Sequence, residues 1–127
     1  MDNKENIEID YRGSYIQRNN KKYIVYKECN EGHPDSYNFC IIKVENNNLV
    51  TLTKNTKHQT KIILENGVRH YSPYYTEYGL LTMSVYTHSI NNKLDKDGGM
   101  LNVKYSISLN ANLLSVIDIT IEVEKII

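Results

Sequence analysis

Leu101-Asn102-Val103-Lys104-Tyr105-Ser106-Ile107-Ser108-Leu109 alternates apolar and polar side chains without a break. A period of two places successive side chains on opposite faces of a strand, so this stretch reads as β. The same alternation runs through Leu81, Met83, Val85 and Thr87, and through Ile117, Ile119, Ile121 and Val123. Towards the N-terminus it recurs in Ile7, Ile9 and Tyr11, and in Ile42 and Val44. No window carries an apolar stripe at helical spacing; residues 90–96 could supply one helical turn at most. Asn19-Asn20, Asn46-Asn47, Asn66-Gly67 and Asp97-Gly98-Gly99 tolerate positive φ and read as hairpin turns. Gly32-His33-Pro34-Asp35 reads as a longer loop.

The expected strands are 5–18, 21–29, 38–46, 49–55, 58–65, 68–76, 79–90, 99–109 and 114–125. This is an all-β antiparallel meander of about eight to nine strands in one domain spanning residues 1–127. Such a meander closes economically as a sandwich or a barrel, and the long last three strands favour a barrel, which leaves no exposed edge.

Composition narrows the function classes. Of 127 residues, 40% are hydrophobic and 24% charged, enough to bury a core without disulfides. No run approaches the ~20 apolar residues of a membrane helix, and no membrane role is expected. The N-terminus lacks the basic start and apolar core of a signal peptide, so a cytoplasmic location is expected. Lys+Arg and Asp+Glu are both 15, and only Lys21-Lys22 are adjacent basic residues, which argues against nucleic acid. Zero net charge weakens repulsion between copies and eases self-association. Abundant Asn and Ile, a single alanine and no tryptophan reflect an AT-rich genome rather than a function.

Few residues offer chemistry. Cys29 and Cys40 flank the 30–39 loop and could face each other across a hairpin, although a cytoplasmic chain favours reduced thiols. Cys29, His33 and Cys40 lack the paired spacing of a zinc site, and a fourth ligand would have to come from His58, His70 or His88; no metal or cofactor is expected. Motifs for nucleophilic, nucleotide or metalloprotease chemistry are absent. An enzyme would have to use Arg69, His70, Glu77 or His88, and alternation points His88 outward; no catalytic residue is assigned.

The densest feature is Arg69-His70-Tyr71-Ser72-Pro73-Tyr74-Tyr75-Thr76-Glu77-Tyr78. Tyrosine combines a flat apolar face with a polar tip, as binding surfaces require. Arg69, His70, Tyr71, Tyr74, Tyr75 and Tyr78 are therefore candidates for a ligand-recognition or dimerisation edge, although tyrosine also simply suits half-buried strands. The inward set of the last strands is apolar, from Leu81 to Ile121. It either fills the barrel or lines a cavity whose polar contacts would be Thr87 and Tyr105.

The run Tyr78-Gly79-x-Leu81-x-Met83-x-Val85-x-Thr87, continued by Gly98-Gly99-x-Leu101-x-Val103-x-Tyr105-x-Ile107-x-Leu109-Asn110 and Asp118-Ile119-x-Ile121, resembles the YwiB-like family. These are small bacterial proteins, a domain of unknown function with a calycin-like β-barrel. The resemblance implies a calycin- or lipocalin-like barrel and carries no catalytic or ligand residues. Family members begin with a further strand before the segment matching Ile7-Ile9-Tyr11, which here follows only Met1 to Asn6. That implies an open seam, and hence a homodimer or a different closure. Two expectations follow: a non-enzymatic barrel holding a small apolar ligand, or a homo-oligomeric interaction protein with a filled core.

Overall fold

The structure is a computed structural model. It describes residues 10–30, 33–46, 48–55 and 60–126, with backbone alone at 29–30 and 33–36. Nine strands follow in order: β1 (Gly13–Arg18), β2 (Lys21–Asn30), β3 (His33–Val44), β4 (Leu49–Lys54), β5 (Thr60–Glu65), β6 (Arg69–Thr76), β7 (Gly79–Asp95), β8 (Gly98–Leu109) and β9 (Asn112–Val123). They pair in chain order as a meander, β1 to β5 in a first sheet and β6 to β9 in a second, antiparallel throughout.

The turn chemistry explains the pairing. Asn19 and Asn20 both take positive φ, 52° and 64°, the two-residue hairpin turn that matches strand twist. Gly98, at φ 120°, lies so close to the Val123 carbonyl that a Cβ would collide with it. The β8–β9 turn falls in the expected break after residue 109, but its conformation carries no sequence signal: Asn110 and Ala111 both take positive φ, so the chain's one alanine occupies a left-handed position.

The sheets meet at a corner. Asn66 bridges Thr87 in parallel, the Gly67 amide donates to the Thr87 carbonyl at 2.9 Å, and β7 bulges between Thr87 and Ser89. The bulge bends β7, so its second half crosses the first sheet. One core fills the space between, with Val44, Val50 and Leu64 from the first sheet against Ile90, Leu94, Leu101 and Val103 from the second. Each such side chain contributes ~1.5–3 kcal/mol through burial.

Several expectations are corrected. Residues 90–96 form no helical turn; β7 continues to Asp95, paired with β8 through Asn91↔Asn102. The ladder holds these Asn-rich residues extended, because the other face of the hairpin carries Ile90 and Leu94 into the core. The backbone over 33–38 is strand, with an irregular register next to Cys29 where Asn30 pairs with His33 and Cys29 with Tyr37. Cys29 therefore lies three rungs from the position opposite Cys40, whose partner is Tyr26; ~10 Å of strand separates them, too far for a disulfide. Cys40 is a free, buried thiol. The first described strand begins at Gly13: residues 10–12, expected as strand, are not, and residues 5–9 of that expected strand, with Ile7 and Ile9, lie outside the described residues. So do Asn47 and His58. The all-β antiparallel expectation holds, as two sheets, and among the described residues no ladder joins β1 to β9.

Candidate functional site

The unjoined seam between β1 and β9 is a cavity of about 590 Å³. Alternation builds its walls. Even-numbered residues of β2, β3 and β4 face inward and supply the floor, Ile24, Ile42 and Leu52. Odd-numbered residues of β9 supply one wall, Ile119, Ile121 and Val123, all only half-buried because, among the described residues, the edge strand has no neighbour beyond it. Residues 11–15 form the opposite wall, with Tyr11 and Tyr15. The rim carries Arg12, Lys96 and Lys125 against Asp97, Glu122 and Glu124, so it is balanced in charge.

Two long-range bonds hold the end of the cavity. The Tyr15 hydroxyl donates to the Asp95 carbonyl, and Lys22 Nζ to the Leu94 carbonyl. Both tie the first two strands to the tip of the β7–β8 hairpin.

Along the floor the inner face changes character by rows. Beyond Ile24–Ile42–Leu52 comes the rung Tyr26–Cys40–Lys54, and next to it Glu28. Lys54 Nζ donates to Glu28 Oε1 at 2.6 Å, and the Cys40 thiol lies 3.7 Å from Glu28 Oε2. The Tyr11 and Tyr26 rings stack with centroids 4.7 Å apart. Burial, and then Cys40 beside it, push the Tyr26 phenol far above its ordinary range. Burial, and then the Glu28 carboxylate, raise the Cys40 thiol. The bond to Glu28 raises Lys54 in turn. A thiol held protonated beside a carboxylate is a poor nucleophile. The cluster therefore closes the apolar floor with satisfied polar groups rather than with reactive ones.

The residues selected from sequence lie elsewhere; none of the eight lines the cavity. Arg69 is on the outer face of the second sheet, donating to Ser84 Oγ at 3.0 Å with its guanidinium 5.5 Å from the centre of the Tyr86 ring. His70 Nε2 lies 2.9 Å from Glu65 Oε1, across the corner between the sheets. Tyr71 and Tyr75 are exposed on the outer face, Tyr74 is exposed opposite Leu81, and Tyr78 stands in the β6–β7 turn. Thr87 and Tyr105 are cross-strand partners and both buried, in the packed part of the interior. His88 is exposed, 2.6 Å from Ser106 Oγ. Among the described residues no three His, Cys, Asp or Glu side chains converge as a metal site would need, and no helix is long and apolar enough to cross a membrane.

The sequence did contain Ile119 and Ile121 as inward residues. It did not show that the edges facing each other would be β1 and β9, which is a property of how the sheets fold over.

A family model described as a domain of unknown function (DUF1934) matches residues 1–121. No curated protein and no solved structure was found to match the chain.

Proposed function

The chain belongs to the DUF1934 family, a domain of unknown function, and from that premise we propose that it is a non-enzymatic binding protein for a small, mainly apolar ligand held in the seam cavity. The observation that carries this reading is the cavity itself. Its 590 Å³ falls within the range of small-molecule sites, and isoleucines of both sheets line it. At ~30 Å³ per heavy atom, taking the share a water occupies in the liquid, it holds a ligand of roughly 20 heavy atoms. The rim carries three basic and three acidic side chains, which favours a neutral or zwitterionic polar end over a strongly charged one. In this reading the two sheets work as a single calycin-like barrel with one seam left open for entry.

The test is binding of a fluorescent sixteen- to eighteen-carbon fatty acid (and its methyl ester) to the full chain, with native mass spectrometry of the purified protein. Leu52→Phe places a ring in the cavity floor while keeping the position apolar. The expected result is saturable binding at one site, weakened at least tenfold by Leu52→Phe, with the ester bound at least as tightly as the acid. Absence of saturable binding and of any co-purified mass would overturn the proposal. So would binding that Leu52→Phe leaves unchanged.

A further inference from the structure

The sequence interleaves its charges, but the fold separates them. Strands β1 to β5 carry seven basic residues against three acidic ones, whereas β6 to β9 carry three of each. Strand alternation then sorts the seven. Lys22 and Lys54 turn inward, to the Leu94 carbonyl and to Glu28. Arg18, Lys21, Lys27, Lys43 and Lys61 share the opposite, outer face of the first sheet. Two described acidic side chains border that face, and both are engaged. Glu45 Oε1 lies 3.5 Å from Lys21 Nζ and 3.2 Å from Lys43 Nζ, and Glu65 is bound to His70 at the corner. Arg18 and Lys61 are exposed and make no ion pair among the described residues.

The same face carries open rings. Tyr37 and Phe39 stand edge to face with centroids 5.5 Å apart, and they are 47% and 41% exposed. Phe39 is the cross-strand partner of Lys27, whose ammonium lies 4.5 Å from the centre of the Tyr37 ring and 5.6 Å from that of Phe39. Two rings and a cation within one side chain's reach match the two halves of a nucleotide. A ring stacks on the base, and the ammonium meets the phosphate. A cation–π contact at an exposed site is weak, so Lys27 turns to a phosphate at little cost and leaves the ring faces free.

We propose that the outer face of the first sheet binds single-stranded nucleic acid, with Tyr37 and Phe39 stacking on bases and Arg18, Lys27 and Lys61 contacting the backbone. Zero net charge over the whole chain does not oppose this, because charges beyond a Debye length of ~10 Å are largely screened. From Lys21 to Lys27 the face runs ~20 Å along β2, and five strands make it ~19 Å wide, room for roughly four to six nucleotides. The rings distinguish this partner from other polyanions. A duplex hides its base faces, and an acidic peptide of Asp and Glu has no flat π-face to lay on a ring. Tyr37, Phe39 and Ile41 lie mid-strand rather than on a projecting turn, so they offer platforms to a base and no wedge to a bilayer. The site is independent of the seam cavity, which the same sheet lines with its other face.

Fluorescence anisotropy of the full chain with labelled oligothymidine and oligouridine of about fifteen nucleotides tests it, beside a duplex of the same length. The expected dissociation constant for the single strands is roughly 1–100 µM at about 50 mM salt. Three unpaired cations predict a slope of log affinity on log salt near about −2, hence a roughly twentyfold loss by about 200 mM. Arg18→Gln and Lys61→Gln should each flatten that slope by ~0.7. Tyr37→Leu with Phe39→Leu keeps the face apolar and should weaken binding at least tenfold. Lys104→Gln, on the second sheet, should leave binding unchanged. Circular dichroism establishes that each variant is folded, and the exposed Arg18 and Lys61 variants serve if the double leucine variant is not. Absence of single-strand binding at about 200 µM protein and about 50 mM salt would overturn the proposal. So would a duplex bound as tightly as the single strand, or a folded double leucine variant that binds like wild type. Anionic phosphatidylglycerol vesicles bound in preference to the oligonucleotide would overturn it in favour of a membrane surface, and displacement by an oligoglutamate peptide of equal charge in favour of an acidic protein segment.

Discussion

The Tyr15 hydroxyl donates to the Asp95 carbonyl at 2.6 Å, joining residues eighty positions apart in the chain. One partner is on the first strand and the other at the tip of the β7–β8 hairpin, so the bond pins the two sheets together where the cavity ends. Tyr15→Phe keeps the ring and removes the donor. The Asp95 carbonyl can turn to water, so the expected cost is modest, about 0.5–1 kcal/mol in urea unfolding. The larger effect is local. Amides at the hairpin tip should exchange faster in Tyr15→Phe, while those of β7 around Met83 and Val85 keep their wild-type protection.

Ala111 takes φ 69° in the β8–β9 turn, where a side chain is strained by ~1–2 kcal/mol and glycine is not. Glycine also gains unfolded-state freedom, which offsets about 0.5–1 kcal/mol. Ala111→Gly is thus expected to stabilise by roughly 0.5–1 kcal/mol and to raise the melting temperature by about 2–4 °C. Calorimetry checks it. Gly98→Ala goes the other way: φ is 120° there, and a Cβ would strike the Val123 carbonyl, parting β8 from the end of the cavity wall.

These turns show how far the sequence could be read. Asn19-Asn20 and Asp97-Gly98-Gly99 announce themselves because Asn and Gly tolerate positive φ, and the strands between them follow from strict alternation. Asn110-Ala111 shows its place, as the break in alternation after residue 109, but not its conformation, because alanine carries no turn signal; the ladders of β8 and β9 impose that conformation. Asn91 and Asn92 misled for the converse reason. Their local preference is weak, and pairing with Asn102 and Leu101 decides their state. The cavity was less legible than the fold. Ile119 and Ile121 are visibly inward in sequence, but which residues face them depends on the bend of β7 at Thr87. The tyrosines of 71–78 drew attention by density, and the sheet turns most of them outward, away from the cavity.

Cys40 provides a chemical probe of the polar end of the floor. Its thiol is raised by burial and then by Glu28, so at pH 8 it is protonated and shielded. In a Cys29→Ser background, iodoacetamide should label folded Cys40 at least tenfold more slowly than the denatured chain. Glu28→Gln removes the neighbouring negative charge. The thiol pKa then falls, and the pH at which labelling accelerates moves down. Lys54→Met has the opposite sign, because the lysine charge favours the thiolate.

Thr87 sits where the two sheets turn into each other. It is fully buried, its backbone amide and carbonyl are bonded to Val68 and Gly67, and among the described residues its hydroxyl has no partner. A buried hydroxyl without a partner costs ~1–3 kcal/mol, and valine has the same shape without that cost. Thr87→Val is therefore expected to stabilise the protein by about 1 kcal/mol, whereas Thr87→Ala, which leaves a void beside Tyr105, should destabilise it. Urea unfolding separates the two. A loss of stability in Thr87→Val would mean that the hydroxyl is bonded in solution, most simply to a trapped water. The corner would then be a hydrated joint rather than a dry one, and the sheets would be held at their present angle by that water as well as by the Asn66–Thr87 bridge.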